Sequence, residues 1–127
     1  MKAVLGENHP TTLTTMNGLA NTYGHLGKHS DAVDLLKQCL DKRKVILGEN
    51  YPQTLDAMNS LAIAYCRQGM HLEGVDLFKQ CLDKRKVVLG ENHPDTLKTM
   101  GNLANMNNLR ILVSHTTKDD TVTNTHL

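Results

Sequence analysis

The chain has 127 residues, 39% hydrophobic and only 3% aromatic, with 14 Lys+Arg against 13 Asp+Glu and a formal net charge of +1. Such balanced, interspersed charge supplies no bulk field to draw the chain to nucleic acid or a membrane surface, and no stretch approaches the apolar length a membrane helix needs. Three cysteines, Cys39, Cys66 and Cys81, make no disulfide scaffold; two recur at one repeat position, which reads as small core residues in a reducing, cytoplasmic setting.

Met1 to Leu5 read as a helix end, because Lys2-Ala3-Val4-Leu5 parallels Lys44-Val45-Ile46-Leu47 and Lys86-Val87-Val88-Leu89. The expectation for 1–5 is therefore the end of a truncated preceding repeat. Next comes Leu5-Gly6-Glu7-Asn8-His9-Pro10. It returns as Leu47-Gly48-Glu49-Asn50-Tyr51-Pro52 and as Leu89-Gly90-Glu91-Asn92-His93-Pro94, a step of 42 residues each time. A fixed period of this size marks stacked repeats that share their core with neighbours. The Gly suits the left-handed backbone that closes a helix, and the Pro suits the first turn of the next. Each copy thus reads as stop, turn, start, with its His or Tyr in a turn or packing role.

Unit 1 spans 6–46. Its first helix is expected over about 11–25, with Leu13, Met16, Leu19, Ala20 and Tyr23 as an amphipathic stripe, closed by Gly24 and Gly27. Its second helix runs over about 30–46, with Ser30 as N-cap and an apolar face from Ala32 to Val45. Lys42, Arg43 and Lys44 fall where positive charge meets the negative helix end, and read as a solvated face. Unit 2 spans 47–88, with helices over about 53–67 and 72–88. Gly74 stands where unit 1 has Ala32, a substitution that costs roughly 1 kcal/mol in a helix interior.

Unit 3, 89–113, is partial and degenerate. A helix from Asp95 carries Leu97, Met100, Leu103 and Ala104, but Asn107 replaces the Tyr of the earlier units and no Gly follows. No regular second helix is expected, which leaves an apolar edge on the first. Residues 114–127 are polar and Thr-rich and read as a disordered tail.

Enzyme chemistry finds no support. His25 and His29 are separated by Gly27 and have no Cys at metal spacing. The signature glycines lack the neighbours of a phosphate loop, and no paired carboxylate or Ser/His/Asp set stands out. No metal, cofactor or nucleic-acid partner is expected.

Laid side by side, the units resemble tetratricopeptide repeats, in particular the 42-residue type of the kinesin light chains and nephrocystin-3-like proteins. The resemblance rests on Leu5 to Pro10 with Met16, Asn17, Leu19, Ala20 and Tyr23, on Leu47 to Pro52 with Met58, Asn59, Leu61, Ala62 and Tyr65, and on Leu89 to Pro94 with Met100, Leu103 and Ala104. It covers about residues 1–106. It implies an all-α fold, an antiparallel helix-pair solenoid of about two and a half repeats. It also implies a protein-binding scaffold whose concave groove is lined by the first helix of each unit.

By that pattern the lining positions are Asn17, Asn21, Gly24 and His25, then Asn59, Ile63, Cys66 and Arg67, then Lys98, Asn102 and Asn105. An Asn amide can hold a peptide backbone through its donor and acceptor, and Arg67 and Lys98 suit a carboxylate. The leading function is binding of a peptide or protein surface in that groove. The alternative is a structural piece of a longer array, without its own ligand, that self-associates through its open end into a homo-oligomer.

Overall fold

The computed structural model describes residues 9–106. The expectations for 1–5, for the tail 114–127 and for the third unit past 106 lie outside the described residues. All regular structure within them is helical: α1 (Pro10–His25), α2 (His29–Leu47), α3 (Pro52–Arg67) and α4 (His71–Val88), followed by α5, which covers 94–106.

The signature works as stop, turn and start. Gly48 and Gly90 adopt φ of 98° and 99°, a backbone region where a Cβ is strained. Pro10 and Pro52 begin their helices. The signature histidine has a sharper role than a turn filler. His9 Nδ1 accepts the Thr11 N–H at 3.1 Å, and His93 Nδ1 accepts the Asp95 N–H at 3.0 Å. Each imidazole therefore caps a helix start, satisfying one orphan donor, whereas Tyr51 makes no such bond. Two expectations are corrected. Gly24 lies inside α1, and the chain turns at Gly27, with φ 81°. Ser30 is not a cap, because α2 already begins at His29, after a Lys28 without a side-chain capping bond.

Helices α1 to α4 pack in sequence, each on the next; α1 also touches α3, whereas α2 and α4 do not meet. The odd-numbered helices therefore crowd together while the even-numbered ones splay, which bends the stack toward the α1/α3 side. Large side chains interleave with small ones in the core. Leu36, Leu40, Leu55, Met58 and Leu61 lie among Ala20, Ala57 and Ala64, with Leu13 and Met16 against Cys39 and Phe78 against Ala62 and Cys66. The cysteines are core residues: Cys39 Sγ donates to the Leu13 carbonyl and Cys81 Sγ to the Leu55 carbonyl. Burial pushes all three thiols above their ordinary value, which keeps them unreactive. On α5, Leu97 and Met100 are 49% and 38% exposed, while their counterparts Leu55 and Met58 are 0% and 1% exposed.

The arginines at helix ends are not solvated as the sequence suggested. Arg43 and Arg85 are 7% and 2% exposed, and each joins its helix to the next unit. Arg43 Nη1 donates to the Gln53 carbonyl at 2.8 Å, while Thr54 Oγ1 donates back to the Arg43 carbonyl at 3.4 Å. One period later Arg85 Nη1 donates to the Asp95 carbonyl at 3.0 Å and Thr96 Oγ1 to the Arg85 carbonyl at 3.3 Å. The second joint is richer. Arg85 also meets Asp56 Oδ1 at 2.5 Å and Thr99 Oγ1 at 2.6 Å, and Thr99 Oγ1 donates to Asn59 Oδ1 at 3.2 Å. In the first joint Ala57 replaces Thr99, and Asn17 Oδ1, the counterpart of Asn59 Oδ1, is buried without a partner.

A glycine also changes meaning. A Cβ on Gly74 would come within 2.9 Å of the Ala62 carbonyl oxygen and would collide with Cys66 Sγ. Unit 1 has Gly24 and Ala32 at the positions of Cys66 and Gly74. The two units have exchanged which helix carries the bulk, so Gly74 is required by Cys66 and by the close Ala62 carbonyl rather than being a weak spot.

Gly74→Ala should lower stability by about 1–2 kcal/mol, since overpacking outweighs the gain in helix propensity. Adding Cys66→Gly should recover much of that loss; urea unfolding in which the double variant equals the sum of the single ones would disprove the coupling. Ala57→Thr, which places a hydroxyl between Arg43 and Asn17, should add about 1 kcal/mol. A midpoint in urea that stays put or falls would refute that assignment.

Candidate functional site

The far end of α1 and of α3 carries the polar side chains that core packing leaves over. Asn21 and His25 on α1 and Ile63 and Arg67 on α3 converge on one cavity of about 130 Å³, whose walls also include Gly24, His29 and Ser60. Leu36 and three alanines, Ala20, Ala32 and Ala64, complete it. A second cavity, about 390 Å³, is lined by Ile63, Cys66, Arg67, His71, Phe78, Asn102 and Met106.

The two cavities are the same site in successive units. Each residue lining the second lies 42 positions after one lining the first: Ile63 follows Asn21, Arg67 follows His25, His71 follows His29, Phe78 follows Leu36, and Asn102 follows Ser60. Cys66 follows Gly24 and Met106 follows Ala64 in the same way. Ile63 and Arg67 belong to both, so α3 is the wall between them.

Among the described residues no carboxylate lines either cavity, and Arg67 has no ion-pair partner among them. Its Nη1 sits 3.4 Å from the point a Cβ on Gly24 would occupy, so the guanidinium reaches from α3 across to α1. His29 and His71 stand at the first position of α2 and α4, and each buries an Nδ1 that has no hydrogen-bond partner. Buried polar atoms are normally paired, and here the exception occurs at the same place in both units. Among the described residues no three potential ligands gather to hold a metal ion.

The sequence-derived positions divide into groups. Asn21, His25, Ile63, Arg67 and Asn102 line the cavities, with Gly24 and Cys66 beside them. Asn59 does not face a groove. It is buried, 5% exposed, and accepts hydrogen bonds from Thr99 and, at 3.5 Å, from Asn102. Its place on α3 faces α5, so its amide serves cohesion between units. Asn17 is half-buried with an unpaired oxygen, and Lys98 and Asn105 are exposed on α5 and line neither cavity. His29 entered the sequence reading only as a rejected metal candidate, and His71 and Ser60 were not singled out. The signal for the histidines lay in their 42-residue spacing, just ahead of the expected helix starts.

Comparison with known proteins fits this geometry. Tetratricopeptide-repeat family profiles match residues 12–52 and 53–110. A solved structure from Podosopora anserina, described as a kinesin light chain with nearly identical TPR-like repeats, is 29% identical with a TM-score of 0.75. The match covers 84% of this chain and 50% of that one. A variant of that protein, with one glutamine replaced by methionine, is 27% identical, again with a TM-score of 0.75, over 92% of this chain and 56% of that one. The chain therefore spans about half the length of these relatives. No curated protein sequence matches it. Tetratricopeptide repeats in general mediate protein–protein interaction and are not typically catalytic. Helix pairs, signature turns, family profiles and solved relatives agree: the chain belongs to the tetratricopeptide-repeat family, in its kinesin light chain type.

Proposed function

We propose that the chain is a non-enzymatic interaction module that holds an extended peptide or protein segment along the inner face built by α1, α3 and α5. It acts by presenting a preformed polar surface in the cytoplasm and changes no covalent bond. The observation that carries this reading is the pair of equivalent cavities, with no carboxylate among the described residues that line them and with Arg67 between them. Asn21 offers a donor and an acceptor to a peptide backbone. Arg67 offers a planar fork to an acidic side chain or a terminal carboxylate. Rotating the His29 or His71 ring toward a ligand breaks no hydrogen bond at Nδ1, since none is made there.

The test is a fluorescence-polarisation screen of the full chain against a peptide library, repeated with the Asn21→Ala/Arg67→Ala double variant. Saturable binding should weaken at least about ten-fold, the scale of one lost charged hydrogen bond. Val45→Ser, at an 85% exposed position on α2, should leave it unchanged. Absence of any saturable ligand, or binding indifferent to the double variant, would refute the groove.

The exposure of Leu97 and Met100 favours a second reading, in which a second copy covers α5 and the chain acts as part of a longer array. Sedimentation equilibrium should then reveal a concentration-dependent dimer that Leu97→Lys dissolves. A monomer at high concentration would exclude it.

A further inference from the structure

We propose that Thr14 is a phosphorylation site, and that a phosphate there pairs with Arg43 and ties α1 into the joint between the first two units. The proposal stands apart from the groove reading. It starts from a difference between the two arginine joints. At the second joint Arg85 binds three helices at once. It lies on α4, donates to the Asp95 carbonyl at the start of α5, and meets Asp56 Oδ1 on α3 at 2.5 Å. At the first joint Arg43 binds only two. It lies on α2 and donates to the Gln53 carbonyl on α3, and no carboxylate pairs with it among the described residues. The helix left out is α1.

The missing partner has an address. Thr14 lies 42 residues before Asp56, and Arg43 lies 42 before Arg85. The backbone is placed alike around both positions, because Cys39 Sγ donates to the Leu13 carbonyl at 3.5 Å and Cys81 Sγ to the Leu55 carbonyl at 3.4 Å. Thr14 therefore stands toward Arg43 as Asp56 stands toward Arg85. A threonine hydroxyl carries no charge and leaves the guanidinium without a counter-ion. Phosphate turns that threonine into a dianion with three acceptor oxygens, one bond longer in reach than an aspartate. Arg43 is 7% exposed, so its charge is poorly screened and gains from such a partner.

The position suits the chemistry. Thr14 is exposed, and its hydroxyl makes no hydrogen bond among the described residues, whereas Thr15 Oγ1 donates to the Thr11 carbonyl at 2.9 Å. No acidic residue in the first turn of α1 repels the phosphate, and that end of a helix favours negative charge. A protein kinase supplies the group from a nucleoside triphosphate. Thr14 Oγ1 attacks the γ-phosphorus, the bond from that phosphorus to the bridging oxygen breaks, the nucleoside diphosphate leaves, and the hydroxyl proton passes to a kinase carboxylate. Because α1 supplies Asn21, Gly24 and His25 to the first cavity, the phosphate also steadies one wall of it.

The experiment uses the full chain with phosphothreonine installed at position 14, or at position 15 as a control on the same helix. The phosphate at 14 should raise the folding equilibrium constant about five- to ten-fold in urea unfolding, and slow amide exchange across α1. Thr14→Asp should give part of that gain and Thr14→Asn none. In an Arg43→Gln background the gain should vanish. Should that variant not fold, phosphorus-31 NMR of the chain with Arg43 in place decides: the phosphate at 14 should lose its second proton about one pH unit below the phosphate at 15. Equal titration of the two phosphates, an equal gain at position 15, or a gain that survives Arg43→Gln would overturn the pairing. The chain isolated from its own cells with phosphatases inhibited should carry phosphate on Thr14 by mass spectrometry; an unmodified Thr14 would overturn the site.

Discussion

The structure depends on a buried arginine that crosses from the end of one helix pair to the start of the next. Burying a guanidinium is unfavourable unless its donors are taken up. Arg43 and Arg85 answer this in large part by donating to carbonyls in the first turn of the following helix, though Arg85 Nε is left without a partner among the described residues, and a threonine hydroxyl returns to the arginine's own carbonyl. The exchange is directional, which distinguishes it from apolar contact. Leucines and alanines can slide by a fraction of a turn at little cost, but two opposed hydrogen bonds fix both rotation and rise. The geometry of the cavities is inherited from these joints, because the positions of α1, α3 and α5 set their walls.

Units in such a stack need not be identical if each keeps its own volume balance. Gly24 with Ala32 and Cys66 with Gly74 fill the same space from opposite helices. The exchange is neutral for packing but not for the inner surface. It puts a hydrogen in the wall of the first cavity and a sulfur in the wall of the second. The Arg67 guanidinium lies against Gly24, 3.4 Å from where a Cβ would sit, an ordinary contact distance. Packing compensation thus gives two equivalent sites different linings.

The helical periodicity and the glycine–proline punctuation placed every described helix to within a residue or two, since both act locally. The long-range pairings were not legible in the same way. Arg43 stands between lysines in a run that looks solvated, and only its partner 10 residues on, Gln53, gives it a buried place. Asn59 carries the same residue type as Asn17 and fits the family's lining pattern, yet Thr99, 40 residues away, draws it into the interior. The His9 and His93 caps are local and were open to inference from a ring nitrogen two residues before a free amide; the usual association of capping with Ser, Thr, Asp and Asn hides them. His29 and His71 were hidden because neither contributes to an apolar stripe or a recognisable ligand set.

What separates cohesion from recognition on the inner helices is distance from the joint. On α3 the first half, Thr54, Asp56 and Asn59, is committed to neighbouring units through hydrogen bonds to Arg43, Arg85 and Thr99. The second half, Ile63 and Arg67, lies at the other end, where the helix turns into α4, and both side chains line the cavities between units. Cavities open there because α1, α3 and α5 are held together at one end and only flanked by the starts of α2 and α4 at the other. On α3, Thr54 and Asn59 near the signature are drawn into the stack, and Arg67 near the glycine turn is left facing a gap. The same division separates Asn59, buried in the interior, from Arg67, two turns further along the same helix, which lines both cavities.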